Sequence, residues 1–349
     1  MPHLPAPDRP DTTTDPWLNR AAVLHAPGDV RVEERPTPEP RSLEVLVEVA
    51  AVGVCGSDVH YYEHGRIGPR VVRAPLVLGH ESAGRVVAVG ERVTRHRVGD
   101  RVAIEPGLPC GRCRECRAGR YNLCGAVAFL GSPPVDGAFT RFLAQHEDFV
   151  HSLPDGLSNE AGALMEPLSV ALWACAKAGV SAADRVLVTG AGPIGLLAVQ
   201  AARARGATEV VVTDVNERRL ALARATGATR TVRAGEQLDE ADALIECSGH
   251  PQALSDGIAA LRPAGTAVAV GMAADPDAAV PLSVLQGREL WLTGTFRYAG
   301  TYPAAIALAA AGRVDLDAIV TGHFALEETE AALRAGREDP DSVKAIVRP

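Results

Sequence analysis

Lysine is almost missing from this chain. Of 35 basic residues only Lys177 and Lys344 are lysines, and the rest are arginines. Aromatic residues are also scarce, at 4%. Positive charge is not in excess: 35 basic residues stand against 43 acids, for a net charge of -8, which argues against a basic surface for nucleic acid or membrane. Long apolar runs are lacking too. The longest uncharged run lies between Arg185 and Arg203, and Gly190, Gly192, Pro193 and Gly195 split it into strand, turn and helix, so no membrane span is expected. Residues 1–17, rich in Pro, Asp and Thr, lack the basic and apolar regions of a secretory signal and are expected to form a flexible extension. There is no internal repeat. Seven cysteines is an odd number, and four of them crowd between Cys110 and Cys124. That pattern suits metal binding in a reducing compartment better than a disulfide framework, so a cytoplasmic location is expected.

What is present has the make-up of a globular protein: 349 residues, 47% apolar and 22% charged, enough for roughly two domains. From Ala21 to His151 short β segments alternate with Gly and Pro, as at Glu44–Val52, Gly84–Val89 and Arg101–Ile104. From Asp184 the pattern changes to short apolar runs (Val186–Gly190, Val210–Asp214, Ala243–Cys247, Ala267–Gly271, Leu290–Thr295) with alanine-rich helical stretches between several of them. This is the βαβ pattern of a parallel sheet, and the fold class is therefore α/β beside a β-rich domain. A helix is expected over Pro303–Ala311, and the alternating tail Lys344–Arg348 is placed to rejoin the first domain.

Gly190-Ala191-Gly192-Pro193-Ile194-Gly195 follows the apolar run Val186–Val188 and opens the helical stretch Leu196–Ala204. A glycine-rich turn alone says little. In this context the three glycines allow a tight turn, close approach of a pyrophosphate, and tight helix–strand packing, with free N–H groups at the helix start. Asp214 closes the next strand, where a carboxylate would accept ribose hydroxyls and repel a 2′-phosphate, favouring NAD over NADP. Arg218 and Arg219 could reach a phosphate or line the adenine pocket.

Two sets of residues suit metals. Cys110, Cys113, Cys116 and Cys124 offer four thiolates within fifteen residues, enough to close a tetrahedral zinc site of structural type, and Arg112, Arg114 and Arg117 would offset their charge. Cys55, His80 and Glu81 offer a thiolate, an imidazole and a carboxylate, three ligands that leave a fourth position open, as a catalytic zinc requires. Glu166, a carboxylate in an otherwise apolar stretch, needs a charge partner that zinc would supply. Taken singly each of these could be an ordinary residue; beside a dinucleotide motif they point to one site. Cys175 and Cys247 read as small buried hydrophobes, and His96, His146, His151 and His250 as ordinary histidines.

Gly79-His80-Glu81-x2-Gly84-x5-Gly90-x2-Val93 followed by Gly99-Asp100-Arg101-Val102 resembles the signature of the zinc-containing medium-chain dehydrogenases. Within them the chain is most similar to the sorbitol (L-iditol) and xylitol dehydrogenase branch. That likeness rests on Cys55–Tyr61, Glu63–Gly68, Ala103–Gly107, Glu166–Val170 and Phe296-Arg297-Tyr298. The resemblance implies a GroES-like catalytic domain over 18–163 and 303–349, a Rossmann domain over 164–302, and a homotetramer. It implies NAD-linked oxidation of a polyol to a ketose, with no nucleic-acid or membrane partner. It places Cys55, His80 and Glu81 on the catalytic zinc, with Glu166 either a ligand or, by preference, acting through a water. Ser57 and His60 would relay a proton to solvent. Tyr61, Arg297 and Tyr298, with Phe129 and Ser132 as further pocket candidates, would face the polyol. Gly190, Gly192, Pro193, Ile194, Gly195, Asp214, Arg219, Val270, Gly271, Met272, Thr295, Phe296 and Arg297 would face NAD. Animal sorbitol dehydrogenases lack the full four-cysteine set, which this chain shares with many alcohol and threonine dehydrogenases. The alternatives are another zinc alcohol dehydrogenase, acting on threonine, 2,3-butanediol or a sugar acid, or a nucleotide-binding relative without catalysis.

Overall fold

The computed structural model describes residues 16–273 and 277–349. The expected extension falls outside the described residues except at its end, where the Trp17 ring tilts against Phe142 at 5.8 Å, so the chain is already docked there.

Alternating valines in Glu44–Gly53 bury one strand at the centre of a seven-stranded sheet. Its order is Val150–Ser152, Arg101–Ile104, Glu81–Val89, Glu44–Gly53, Lys344–Arg348 and Val320–Ala325, with Phe142–His146 also pairing to Glu44–Gly53. The tail strand Lys344–Arg348 joins this sheet antiparallel to Glu44–Gly53 through Ile346 opposite Gly53. That return brings one of the two lysines to the middle of the first domain. A smaller sheet of Asp29–Arg35, Asn19–Ala26 and Leu76–Val77 packs on it.

The second sheet has six strands, all parallel, in the order Arg230–Arg233, Glu209–Asp214, Arg185–Thr189, Ala241–Glu246, Leu261–Ala269 and Trp291–Gly294. This is the doubly wound order of a dinucleotide-binding domain, with its crevice at the carboxyl ends of the strands. Pro193 begins the helix Pro193–Ala204 at a position where a missing N–H costs nothing. The helices Met165–Lys177 and Pro193–Ala204 pack together, and Tyr302–Ala310 lies against Met165–Lys177, so that segment sides with the helical layer of the nucleotide domain. The strand expected at Ala267–Gly271 starts earlier, at Leu261, and ends at Ala269. The stretch Arg262-Pro263-Ala264-Gly265, with Ala264 at φ 62°, bulges the register and breaks the apolar pattern of the strand. No helix among the described residues is long and apolar enough to cross a membrane.

Candidate active site

Asp58 organises the centre of the site. It is fully buried at the start of the helix Gly56–His64, where its Oδ2 accepts the Cys55 backbone N–H at 3.0 Å. Its Oδ1 accepts the Gly79 N–H at 3.0 Å and lies 3.4 Å from His80 Nδ1. One carboxylate thus ties the helix that carries Cys55 to the loop that carries His80, and holds the imidazole by one ring nitrogen so that the other is free to bind a metal. Glu81 opens the next strand, directly opposite Gly53. A side chain at Gly53 would fill the space of the Glu81 carboxylate, its Cβ falling 2.1 Å from Oε2.

The ligand atoms of Cys55, His80 and Glu81 lie within 4.8 Å of one another, with His80 and Glu81 buried. Lys344 Nζ is 2.5 Å from Glu81 Oε2, an ion pair buried on both sides, and also donates to the Val54 carbonyl at 2.8 Å. Soft, borderline and hard donors converging from three segments match the donor set of a zinc site with an open position. Burial pulls the His80 ring down, but Asp58 and Cys55 outweigh it and hold its pKa well above the ordinary imidazole value. Burial pushes the Glu166 carboxyl up to about 7, against the pull of His80. Glu166 stands beside the three groups and outside the set within 4.8 Å.

Both shifts are upward, so both groups favour the folded state fully below their unfolded values, and that contribution is lost as pH rises through the folded values. Below about pH 6, where the lowered Cys110 thiol has not yet begun to act in the opposite sense, the metal-stripped protein is therefore expected to lose thermal stability as pH rises from about 5 to about 6, with a flatter slope in Glu166→Gln. Melting curves across that range check this; a midpoint that rises with pH would contradict it.

Phe129 lies beside His80, ring centroids 5.4 Å apart, and carries the Arg297 guanidinium 3.5 Å above its ring. Arg297 takes a left-handed backbone, φ 54°, rare for a residue with a side chain. Its Nη1 is buried without a hydrogen-bond partner, and the buried Tyr298 hydroxyl faces the Glu166 carboxylate and Tyr302. The Tyr61 hydroxyl contacts Ser132 Oγ at 3.2 Å, and Arg70 reaches the same oxygen at 3.3 Å. Burial, then Arg70, pulls the Arg297 pKa down to about 10.

A cavity lined by Cys55, His60, Pro193, Arg219 and Met272 joins this centre to the dinucleotide turn. Gly190 has φ 87°, and a side chain at Gly195 would strike the Gly190 carbonyl, whereas one at Gly192 would meet nothing within 4 Å. These are the three roles expected of the glycines. Asp214 accepts the Ala191 N–H at 2.6 Å and the Asn216 N–H at 2.8 Å, and lines a second cavity with Gly190, Val215, His250 and Gln252. Its carboxylate braces the turn as well as lining that cavity. Neither arginine after it lines that cavity: Arg218 pairs with Asp341, and Arg219 donates to the Ser342 carbonyl at 3.3 Å on the other side. Ser57 and His60 sit half-buried on the helix after Cys55, with His60 on the nucleotide-side cavity.

The four sulfurs of Cys110, Cys113, Cys116 and Cys124 also lie within 4.8 Å of one another. Four thiolates about 2.3 Å from a zinc ion would stand about 3.8 Å apart. Cys113 and Cys116 are at 3.4 Å and Cys110 and Cys116 at 4.0 Å. Backbone N–H groups of Arg112 and Cys113 lower the Cys110 thiol to about 6, while burial and the neighbouring sulfurs of Cys113 and Cys124 push the Cys116 thiol up to about 12.

Asp58, Lys344 and Glu105 were not singled out as functional from the sequence. His151, expected to be ordinary, pairs with the buried Glu105 at 2.9 Å and stacks on Tyr302 at 4.7 Å, and His250 lines the cavity beside Asp214. Cys175 is fully buried, as expected, and Cys247 partly so.

The chain matches the alcohol dehydrogenase GroES-like domain over residues 41–155 and the zinc-binding dehydrogenase domain over 193–311. It is 42% identical over 350 residues to the sorbitol dehydrogenase of Bacillus subtilis, covering 97% of this chain and 99% of that one. It is also 42% identical over 333 residues to the sorbitol dehydrogenase of Mus musculus, covering 92% and 93%. The solved structure of L-idonate 5-dehydrogenase from Escherichia coli superposes with a TM-score of 0.89 at 31% identity, covering 95% and 98%. The chain belongs to the zinc-containing medium-chain dehydrogenases, with a GroES-like catalytic domain and a Rossmann domain. Zinc and a nicotinamide dinucleotide are its cofactors, and both cysteine-containing clusters suit zinc.

Proposed function

We propose that the chain oxidises a secondary hydroxyl of a polyol such as sorbitol, xylitol or L-iditol to the ketose, with NAD as hydride acceptor. The observation that carries this reading is the buried, unpartnered Arg297 Nη1, set over Phe129 beside the metal-ligand cluster, with the buried Tyr298 hydroxyl and the Glu166 carboxylate next to it. Unpaired buried donors are costly unless a ligand satisfies them, and a polyol brings a row of hydroxyls.

Cys55, His80 and Glu81 would hold the catalytic zinc, and Cys110, Cys113, Cys116 and Cys124 the structural one. When bound, zinc supplies Lewis acidity to the substrate hydroxyl and NAD supplies the ring carbon that takes the hydride. Glu166, buried beside the ligands, would act through a water and help to orient the reacting hydroxyl. The hydroxyl proton would leave by way of Ser57 and His60 toward the nucleotide-side cavity, which His60 lines. Tyr61, Ser132, Arg297 and Tyr298 orient the polyol by its other hydroxyls, and Phe129 closes the site against water. The helix N-terminus at Gly192 and Pro193 binds the pyrophosphate, with Val270, Gly271, Met272, Ile194, Thr295 and Phe296 along the cofactor. Asp214 selects NAD by its negative charge, Arg218 pairing with Asp341 and Arg219 lining the nucleotide-side cavity with Pro193 and Met272.

A sugar acid is the second reading, because Arg297 can pair with a carboxylate. The test is kcat/KM with NAD for sorbitol, xylitol, L-idonate, 2,3-butanediol and threonine. Preference for the polyols supports the proposal, and preference for idonate, butanediol or threonine overturns it.

The same reading includes a homo-oligomer in the cytoplasm. Trp291–Gly294 ends the six-stranded sheet and exposes Trp291 at 72% and Leu292 at 39%, an apolar edge that pairing with a second copy would cover. Trp291→Glu is expected to reduce the mass in sedimentation to that of smaller species; an unchanged mass would contradict this interface. Free thiols throughout the described residues suit a reducing compartment.

A further inference from the structure

The segment that carries Arg297 and Tyr298 is fastened to the four-cysteine lobe. Tyr121–Leu123 forms a short turn between Cys116 and Cys124. Buried Asn122 donates from Nδ2 to the Phe296 carbonyl at 2.8 Å, across 174 positions of sequence. The neighbouring Tyr121 hydroxyl accepts the Gly300 N–H at 2.7 Å and donates to Glu105 at 2.6 Å. Glu105 is in turn fixed by His151. The two lobe residues therefore grip the loop on either side of Arg297.

That residue needs holding. A non-glycine residue in the left-handed region is about 1 kcal/mol or more above its relaxed state and persists only where its surroundings fix it. Phe129, which leaves the lobe in the short strand Ala128–Phe129, supports the guanidinium from below. Tyr121, Asn122 and Phe129 line one small cavity with Arg297 and Tyr298, and Tyr121 and Asn122 lie in the turn that leads directly into Cys124.

We propose that the four-cysteine lobe is a positioning element for the substrate: Asn122 and Tyr121 hold Phe296–Gly300 so that Arg297 and Tyr298 face the polyol. This rests on the reading of Arg297 and Tyr298 given above. The lobe acts through the loop and touches no reacting atom, so Asn122 and Tyr121 are positioning residues.

The test uses the full zinc-loaded enzyme with Asn122→Asp, which keeps the shape and removes the donor, and Tyr121→Phe, which removes the hydroxyl. Hydrogen exchange of the peptide covering residues 296–300 is expected to rise about five- to tenfold in each, as the loss of one hydrogen bond implies, with zinc per chain unchanged. KM for the polyol is expected to rise by a similar factor while KM for NAD stays within about twofold, and the effect of Asn122→Asp is expected to vanish in an Arg297→Ala background. If Asn122→Asp loses zinc, Tyr121→Phe decides. Parental exchange with zinc retained, a joint rise in both KM values, or an undiminished effect in the Arg297→Ala background would each overturn the proposal. The exchange measurement needs no substrate. A parent enzyme that ignores polyols would therefore sink the functional reading alone, and the kinetic comparison would then use whichever alcohol it oxidises.

Discussion

Cys55→Ser is expected to lower kcat/KM for alcohol oxidation by about a thousandfold, the scale of several kcal/mol of lost Lewis-acid stabilisation, while NAD binding stays near parental. A serine hydroxyl remains protonated at neutral pH and cannot replace a thiolate as a charged ligand. The helix should survive the change. Its contact with Asp58 runs through the Cys55 backbone N–H, which any residue provides, and Asp58 keeps its grip on Gly79 and His80. Metal analysis should fall from about two zinc ions per chain to about one, because the four-cysteine lobe is a separate cluster. Full activity with two zincs in the variant would contradict the assignment of Cys55. Loss of both would show that the clusters are coupled.

Lys344→Met is expected to destabilise the metal-stripped protein by about 3 kcal/mol or more, because removing one partner of a buried ion pair leaves the other charge uncompensated. Lys344 and Glu81 are 2% and 1% exposed at their side chains, and Gly53 offers the carboxylate no alternative donor. Burial pulls the Lys344 pKa down, but Glu81, with Cys55 and Glu166, outweighs it and holds it above the usual lysine value. A raised value means that its contribution is present below the unfolded lysine pKa of about 10.4 and is lost as pH rises through the folded one. At neutral pH the whole effect is present. Lys344→Arg should also be poorly tolerated, since the larger planar head has no room beside the Gly53 backbone. Urea unfolding of the chelator-treated proteins checks both, and a Lys344→Met midpoint equal to that of the parent would contradict the role of the pair.

Sequence spacing alone carries far along this chain where the chemistry is local. The glycine turn, the four cysteines and the pair His80-Glu81 each occupy a short stretch, and each forms the cluster its spacing implies. Apolar periodicity likewise marks Val186, Val210 and Ala243 as strands of one parallel sheet, since buried parallel strands are apolar on both faces. Contacts that close only in three dimensions were not legible. Lys344 reaches Glu81 because the tail strand inserts beside Gly53, and no local pattern gives that register. Asp58 reads as a helix-start residue, and its second task at Gly79 and His80 emerges only when a distant loop arrives. Asn122 and Tyr121 look like filler between two cysteines until Phe296 and Gly300 lie against them. Arg218 and Arg219 part company in the fold, Arg218 pairing with Asp341 while Arg219 lines the cavity at the dinucleotide turn, a division that adjacent cations in a sequence do not announce.

The most direct test of zinc-dependent polyol oxidation at this site is the fate of deuterium from sorbitol labelled at C2, followed in the reduced nicotinamide and in the sugar product. Label on the nicotinamide, in step with ketose formation and abolished by a zinc chelator, is the expected result. Label retained in the sugar, or reduced nicotinamide formed without ketose, would contradict it.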